Sequence, residues 1–188
     1  MVIYFKEEIR FYAAYIFGDV KEAEAHSSLF YDMLNCRREL SLQVILEWHY
    51  KLLKDTKLDI AGKVRTRQVW IAATKFIPPS PAEVQVELAA FFRWYNKNKD
   101  RLNPVELAAL VHLKFVTIHP FADGNGRISR LLMNFVLNKH GYPMLNIPYT
   151  NRAGYYNALE RAQVKKSDSI FVSWLFRRYE KLYKRHVE

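Results

Sequence analysis

The spacing of apolar residues predicts helices along most of the chain. Between residues 21 and 54 they recur three or four positions apart, which fits one face of a helix better than the alternation of a strand. Residues 80–83 (SPAE) and 103–106 (NPVE) have the composition of helix starts. A capping side chain, an early proline and an acid in the first turn all stabilise that end of a helix.

Three further helices are predicted near residues 125–140, 151–164 and 167–184. Gly141 follows the first of these, and glycine is the usual residue just after a helix C-terminus. The helix that starts at Pro104 is apolar nearly all round, which is typical of a helix buried at the centre of a domain.

One stretch departs from the helical pattern. Residues 64–77 (VRTRQVWIAATKFI) are rich in β-branched and aromatic residues and are followed by Pro78 and Pro79, which favours a short β-hairpin or an extended flap. No internal repeat or linker is recognisable. We therefore predict a mainly α fold with a small β-hairpin flap, in one compact domain that comprises an N-terminal helical region, 1–55, and a core, 56–188.

Composition limits the classes of protein to consider. Half of the 188 residues are hydrophobic, enough to bury a core, and 29 Lys and Arg against 19 Asp and Glu give a net charge of +10, so anionic partners are considered. The single cysteine, Cys36, cannot form an internal disulfide, which favours a reducing compartment. No apolar run approaches the length of a membrane span. We expect a cytoplasmic protein with no membrane partner.

Residues 119–130 (HPFADGNGRISR) connect the apolar helix to the next one. Gly124 and Gly126 allow positive φ and close backbone approach, so successive amides can form an anion-binding nest. The helix that follows adds unpaired N–H groups and the positive end of its dipole. This segment therefore predicts an anion-binding loop.

The side chains of the same segment suggest which anion it binds. Arg127 and Arg130 are three residues apart on a helix and share a face, so they can offer two guanidinium groups to a polyphosphate. Asp123 is the kind of hard oxygen ligand that Mg²⁺ accepts when it bridges phosphates. His119 can take up a proton near neutral pH. Together they indicate nucleotide phosphate chemistry.

Residues 119–130 match the HPFx[D/E]GNGRxxR signature of the Fic family, which has the Fido fold, at every specified position. Residues 62–79 resemble the substrate-binding flap of that family. Residues 103–121 and 129–143 are similar to the helices that flank its active site, particularly in the branch that contains the animal endoplasmic-reticulum Fic enzyme. Residues 40–53 resemble its lead-in helix. The resemblance covers roughly residues 60–175 well and places the flap over the active site.

This resemblance implies AMPylation, the transfer of AMP from ATP to a Ser, Thr or Tyr hydroxyl of a target protein. His119 would be the general base that deprotonates the hydroxyl. Asp123 would hold Mg²⁺ between the α- and β-phosphates. The amides around Gly124 and Gly126, with the side chain of Asn125, would orient the reacting α-phosphate.

The family pattern also implies the remaining contacts with ATP. Arg127 would bind the β-phosphate and the departing pyrophosphate, and Arg130 the γ-phosphate. Phe121 would be buried and anchor the loop. The resemblance also implies further nucleotide-binding positions. They are Ile128 and Ser129 after the glycines, Ile71, Ala72, Ala73 and Thr74 in the flap, Tyr155 and Tyr156 as a pair beside the adenine, and Gln163, where that branch has Asn. Ordinary helix packing is the alternative for the tyrosine pair.

Other functions stay open on the sequence. The flap could add a strand to an extended target segment, or be only structural. A Fic-fold enzyme could use UTP, GTP or a CDP-linked donor, or transfer phosphate, although the intact glycines of the motif argue against the kinase-like relatives. A basic nucleic-acid-binding module would suit the segment 161–188, with eight Lys and Arg against three acids. No recognition motif supports that reading, so we expect a solvated helical face there. An inactive nucleotide-binding module is the last alternative.

Many Fic proteins carry an inhibitory [S/T]xxxE[G/N] motif whose Glu pairs with the second motif arginine and blocks productive ATP binding. The chain lacks it. The nearest candidate starts at Ser28, where Asp32 and Met33 occupy the two specified positions. Three possibilities follow: an inhibitory helix lies upstream of this sequence, a separate antitoxin partner supplies the inhibition, or the enzyme is not inhibited.

Overall fold

Seven α-helices make up most of the part of the chain that the computed structural model describes, residues 20–183. They are α1 Val20–Leu34, α2 Leu42–Leu53, α3 Pro81–Asn98, α4 Pro104–Ile118, α5 Asn125–Lys139, α6 Arg152–Val164 and α7 Asp168–Tyr183, with a 3₁₀ turn at Tyr149–Asn151. The mainly helical prediction is confirmed. The first 19 residues of the predicted N-terminal helical region lie outside the described part.

Helix α4 lies at the centre of the fold. It packs against α3, α5 and α7, while α1 and α2 cover α5 from the other side and α6 packs on α7. Residues from all sides of α4, among them Leu107, Ala108 and Ala109, are fully buried. The prediction of a central buried helix is therefore confirmed.

The predicted helix starts have the expected capping bonds. The Asn103 side chain accepts the N–H of Val105 at 2.9 Å, and the backbone N–H of Ser80 donates to the Glu83 carboxylate at 2.7 Å. Gly141, just after the C-terminus of α5, adopts a φ of +73°. These local bonds explain why the boundaries could be predicted from sequence.

The helical stretch predicted over residues 21–54 divides into α1 and α2. The Ser41 hydroxyl accepts the N–H of Val44 at 3.4 Å and begins the second helix. No helix in the described part is long and apolar enough to cross a bilayer.

The predicted β-hairpin is wrong. Within 64–77 the described backbone contains turns and bends but no strand. A two-stranded hairpin is marginal on its own, and Pro78 and Pro79 have no backbone N–H to donate to a ladder. Side chains hold this segment in place of strand pairing, as described below. We keep the name flap for residues 64–79.

Candidate active site

The loop between α4 and α5 is closed by its own hydrogen bonds. His119 ends α4 in the left-handed region, with φ +52°, and Gly124 caps α5 with φ +79°. The Asn125 side chain accepts the Phe121 N–H at 2.9 Å and donates to its carbonyl at 2.8 Å. Phe121 is fully buried, as predicted. This part of the loop is therefore fixed to the core, and we call residues 119–126 the α4–α5 loop.

Local geometry determines which nitrogen of His119 can act as a base. Its Nδ1 lies 3.1 Å from the carbonyl oxygen of Val116. A carbonyl only accepts, so Nδ1 carries the hydrogen and the lone pair of the neutral ring is on Nε2. Burial, together with the charge of Arg65, lowers the pKa of His119. The ring is therefore neutral at pH 7.

Arg65 joins the flap to the α4–α5 loop. Its backbone N–H donates to the Pro120 carbonyl at 2.9 Å and its Nε to the His119 carbonyl at 2.8 Å. The rest of the buried guanidinium donates to the carbonyls of Arg67 at 3.1 Å and Pro79 at 2.5 Å. One side chain thus ties both ends of the flap to the catalytic histidine candidate. The sequence signal was its place in the segment resembling the family flap.

His49 on α2 contacts the loop through a hydrogen bond and a stacked ring. Its Nδ1 accepts the Gly62 N–H at 2.9 Å, so Nε2 carries the hydrogen and donates to the Asp123 carbonyl at 3.0 Å. The ring is fully buried and stacks on Phe121 at 3.7 Å between centroids. Burial lowers the pKa of His49 to about 4, which keeps it neutral. Sequence reasoning missed this role, because a lone histidine on an apolar helix face carries no signal of its partners.

Four charged side chains meet beside the loop. Glu22 on α1 forms a buried ion pair with Arg127. The Lys57 ammonium lies 3.0 Å from Glu22 Oε1 and 2.6 Å from Asp123 Oδ2, and Arg127 Nη2 lies 3.4 Å from the same Asp123 oxygen. The Thr56 hydroxyl also donates to Glu22, at 2.9 Å. Glu22 and Lys57 carry no motif, and sequence reasoning missed both.

The hydrogen bonds of this cluster keep both carboxylates ionised. Burial opposes ionisation of Glu22, but hydrogen bonds from Arg127, Lys57 and Thr56 leave its pKa below the ordinary value. Burial likewise opposes ionisation of Asp123, and the bonds from Lys57 and the Gly124 amide more than offset it. Asp123 is therefore an anion that already contacts two cations, the Lys57 ammonium and the Arg127 guanidinium.

Asp123 suits a magnesium ion that arrives with phosphates. Its carboxylate is 43% exposed. Mg²⁺ usually takes one or two protein carboxylates and completes its shell with water and substrate phosphates. Among the described residues no group of three or more His, Cys, Asp or Glu side chains could hold a metal ion. A single, partly exposed carboxylate is the kind of protein ligand that such an ion accepts.

A cavity of about 870 Å³ opens beside the loop. Nearly all the predicted site residues line it: His119, Asp123, Gly124, Asn125, Gly126, Arg127, Arg130, Ile71, Ala72, Ala73, Thr74, Tyr155, Tyr156 and Gln163. The side chains of Ile128 and Ser129 are fully buried instead, and the Ser129 hydroxyl donates to the Gly126 carbonyl at 3.1 Å. These two residues can reach the cavity only through their backbone.

The tyrosine pair divides into a buried and an exposed ring. The Tyr155 hydroxyl lies 2.9 Å from His112 Nε2, and its ring is in the core. Tyr156 is 46% exposed, and the Arg152 guanidinium lies over its ring at 5.4 Å. Farther along α6, Gln163 Nε2 donates to the Thr117 hydroxyl at 3.2 Å. Tyr155 thus packs in the core, and Tyr156 offers a partly exposed ring at the cavity wall.

The middle of the flap is held against α6. The Glu160 carboxylate accepts the Lys75 N–H at 2.9 Å, and the Thr74 hydroxyl accepts the Phe76 N–H at 3.1 Å. Ala73, in the turn just before Thr74, adopts a φ of +57°. These contacts keep residues 71–74 over the cavity without a strand ladder.

The sequence profile of the Fic/DOC family matches residues 39–137, more than half of the 188 residues. The matched region contains α2, the flap, α3, α4, the α4–α5 loop and most of α5. The chain therefore belongs to the Fic/DOC family.

Named relatives agree with this assignment. Protein adenylyltransferase fic-1 of Caenorhabditis briggsae is 39% identical over 138 residues, which are 70% of this chain and 27% of that protein. A Fic-domain signaling protein of Bacteroides thetaiotaomicron is 31% identical with a TM-score of 0.77, over 86% of this chain and 69% of that structure. IbpAFic2, solved in complex with adenylylated Cdc42, shares the fold at 22% identity and a TM-score of 0.70, over 93% of this chain and 61% of that one. The chain spans little more than a quarter of the Caenorhabditis briggsae relative.

Proposed function

We propose that this chain is a protein adenylyltransferase that transfers AMP from ATP to a hydroxyl group of a target protein. The observation that carries the proposal is the position of His119. A neutral histidine with its lone pair on Nε2 lines the same cavity as Asp123, Arg127 and Arg130, at the N-terminus of α5. Its relatives that are named protein adenylyltransferases support the same reaction.

In the proposed reaction His119 Nε2 accepts the proton of a Ser, Thr or Tyr hydroxyl. The hydroxyl oxygen then forms a bond to the α-phosphorus of ATP, and the bond between that phosphorus and the bridging oxygen breaks to release pyrophosphate. A positioned general base typically contributes about 10²- to 10⁴-fold in rate. Phosphoryl-transfer catalysis otherwise rests on positioning and charge.

The phosphates would lie at the N-terminus of α5. The amides around Gly124 and Gly126 would face the phosphates there, with the helix dipole in their favour. Arg127 and Arg130 would neutralise the β- and γ-phosphates and the departing pyrophosphate. Asp123 would hold Mg²⁺, which when bound neutralises phosphate charge and polarises the phosphate oxygens.

The nucleoside and the target would take the other end of the cavity. Residues 71–74 and the exposed face of Tyr156 would contact the adenosine, with Gln163 behind them. The flap also presents two exposed apolar side chains, Trp70 and Ile77. An extended segment of a target protein could dock there through these side chains. A cytoplasmic location and an antitoxin partner remain predictions.

Labelling with ATP tests the proposal. The protein is incubated with Mg²⁺ and ATP labelled at the α- or the γ-phosphate, with His119→Ala and the exposed His140→Ala as a matched control. We expect protein-bound label from the α-position alone, lost in His119→Ala and kept in His140→Ala. Label from the γ-position would mean phosphate transfer and overturn the proposal. Competition by unlabelled UTP, GTP or a CDP-linked donor stronger than that by ATP would overturn the choice of donor.

A further inference from the structure

Lys57 occupies the phosphate end of the cavity although it belongs to no motif. It follows α2, where its backbone N–H donates to the Leu53 carbonyl at 2.8 Å. Its ammonium lies 2.6 Å from Asp123 Oδ2 and 3.0 Å from Glu22 Oε1, and it lines the same cavity as His119. A lysine at this place is a cation within reach of any anion that binds there.

Glu22 holds Lys57 and Arg127 side by side. The buried carboxylate accepts from Arg127 through one oxygen and from Lys57 through the other. Arg127 is only 7% exposed and is fixed by this pair, whereas the Lys57 side chain is 43% exposed. Of the two cations, Lys57 is therefore the one that can move without leaving the site.

We propose that Lys57 is a further phosphate-binding residue of the nucleotide site. In the structure the Lys57 ammonium pairs with Asp123. If Asp123 held a divalent cation, the ammonium would turn from Oδ2 to the polyphosphate, and Glu22 would keep it within the site. This inference rests on the proposed function, because it takes ATP with a divalent cation to be the ligand.

The charges of the cavity wall favour phosphate binding by Lys57 over a role limited to neutralising Asp123. The cavity wall carries Lys57, Arg127, Arg130 and Arg152 against Glu22, Asp123 and Glu160, a surplus of one positive charge, and without Lys57 this surplus disappears. The polyphosphate of ATP is strongly anionic even with its divalent cation bound, so a site that lacks this surplus binds it less well. AMP carries no β- or γ-phosphate and would not use Lys57.

Calorimetric titration of the whole chain tests this inference. The ligands are the Mg²⁺ complex of a non-hydrolysable α,β-methylene ATP analogue and AMP. The proteins are wild type, Lys57→Met, Lys57→Arg and the control Lys54→Met, an exposed lysine outside the cavity. For Lys57→Met we expect affinity for the analogue to fall about tenfold, because hydrogen bonds between charged groups are worth this much. Its affinity for AMP should stay unchanged.

The remaining outcomes separate this inference from the proposed function. Lys57→Arg should keep most of the analogue affinity, and Lys54→Met all of it. If Lys57→Met bound the analogue as tightly as wild type or more tightly, Lys57 would only pair with Asp123 and not bind phosphate. An equal loss of affinity for the analogue and for AMP would mean that the substitution disturbs the whole site. Either result overturns the inference alone. Failure of the wild-type protein to bind the analogue would overturn the proposed function and this inference with it.

Discussion

Glu22 and Arg127 form a buried ion pair although they are 105 positions apart in the chain. Arg127 is the first arginine of the HPFx[D/E]GNGRxxR segment, and Glu22 lies on α1, outside the region matched to the family. The side chains are 7% and 5% exposed. The pair joins α1 to the start of α5 and sets the orientation of a guanidinium at the cavity wall.

The first prediction concerns the stability that this pair provides. Glu22→Ala leaves a buried guanidinium without its main counter-charge, which typically costs about 3–5 kcal/mol in the free energy of unfolding. Glu22→Gln keeps a hydrogen-bond acceptor and should cost less. Urea denaturation measures both, with Glu24→Ala, an exposed glutamate on the same helix, as the control. A loss in Glu22→Ala no larger than that of the control would contradict the role of the pair.

The second prediction concerns the pH dependence of the proposed reaction. A general base works only when unprotonated, so the rate falls as pH drops through its pKa. Because burial lowers the pKa of His119 below its ordinary 6.5, we expect the acid limb of kcat/KM to have its midpoint below pH 6.5. A pH–rate profile from pH 4.5 to 8 checks this. A midpoint above pH 7 would exclude the buried, neutral His119 as the titrating base.

The third prediction concerns His49. His49→Phe keeps a ring that can stack on Phe121 but leaves the Gly62 N–H and the Asp123 carbonyl without their partner. Each unsatisfied group costs about 1–3 kcal/mol, so we expect a clear drop in the free energy of unfolding. The AMP-transfer rate should fall as well, because the peptide after Asp123 loses its anchor. His140→Phe on the surface is the matched control, and an unchanged rate in a destabilised His49→Phe would restrict His49 to a structural role.

The fourth prediction concerns acid sensitivity. Burial lowers the pKa of His49 to about 4, and of His26 and His112 to about 3, so each stays neutral in the folded protein while the unfolded chain takes up a proton near pH 6.5. The unfolded state then binds more protons, and stability falls with pH below 6.5, by about 1.4 kcal/mol per unit for each histidine that titrates fully. Denaturation at pH 7, 6 and 5 measures this slope. The slope should be shallower in His49→Gln, and a stability that rises between pH 7 and 5 would contradict the prediction.

The fifth prediction concerns Arg65 as the tie between flap and loop. Arg65→Met removes the donors to the carbonyls of His119, Arg67 and Pro79. We expect faster limited proteolysis within the flap and a loss of about 2–4 kcal/mol in the free energy of unfolding, because hydrogen bonds from a charged donor are among the stronger ones. Arg67→Met, at an exposed position two residues on, is the control. Equal flap cleavage in the two variants would show that the tie is dispensable.

Much of the fold could be predicted because its signals are local. The caps at Ser80 and Asn103, the glycine after α5 and the all-round apolar pattern of α4 act within a few residues, and the structure has each of them. The flap shows the limit of such reasoning. Its β-branched and aromatic composition favoured a hairpin, but strand preference depends on packing against neighbouring strands, and here remote side chains such as Glu160 supply the bonds.

The sequence by itself determined that His119, Asp123, Arg127 and Arg130 belong to one site, because they lie in one contiguous segment, residues 119–130, whose spacing carries their relation. Only the tertiary structure decided what surrounds them. Glu22, His49 and Lys57 come from α1, α2 and the turn after α2, and each reaches the loop through a contact whose partner is at least 66 positions away. No periodicity or motif encodes such pairs. They exist because helix packing brings distant side chains into one buried place, where each charge and each N–H must find a partner.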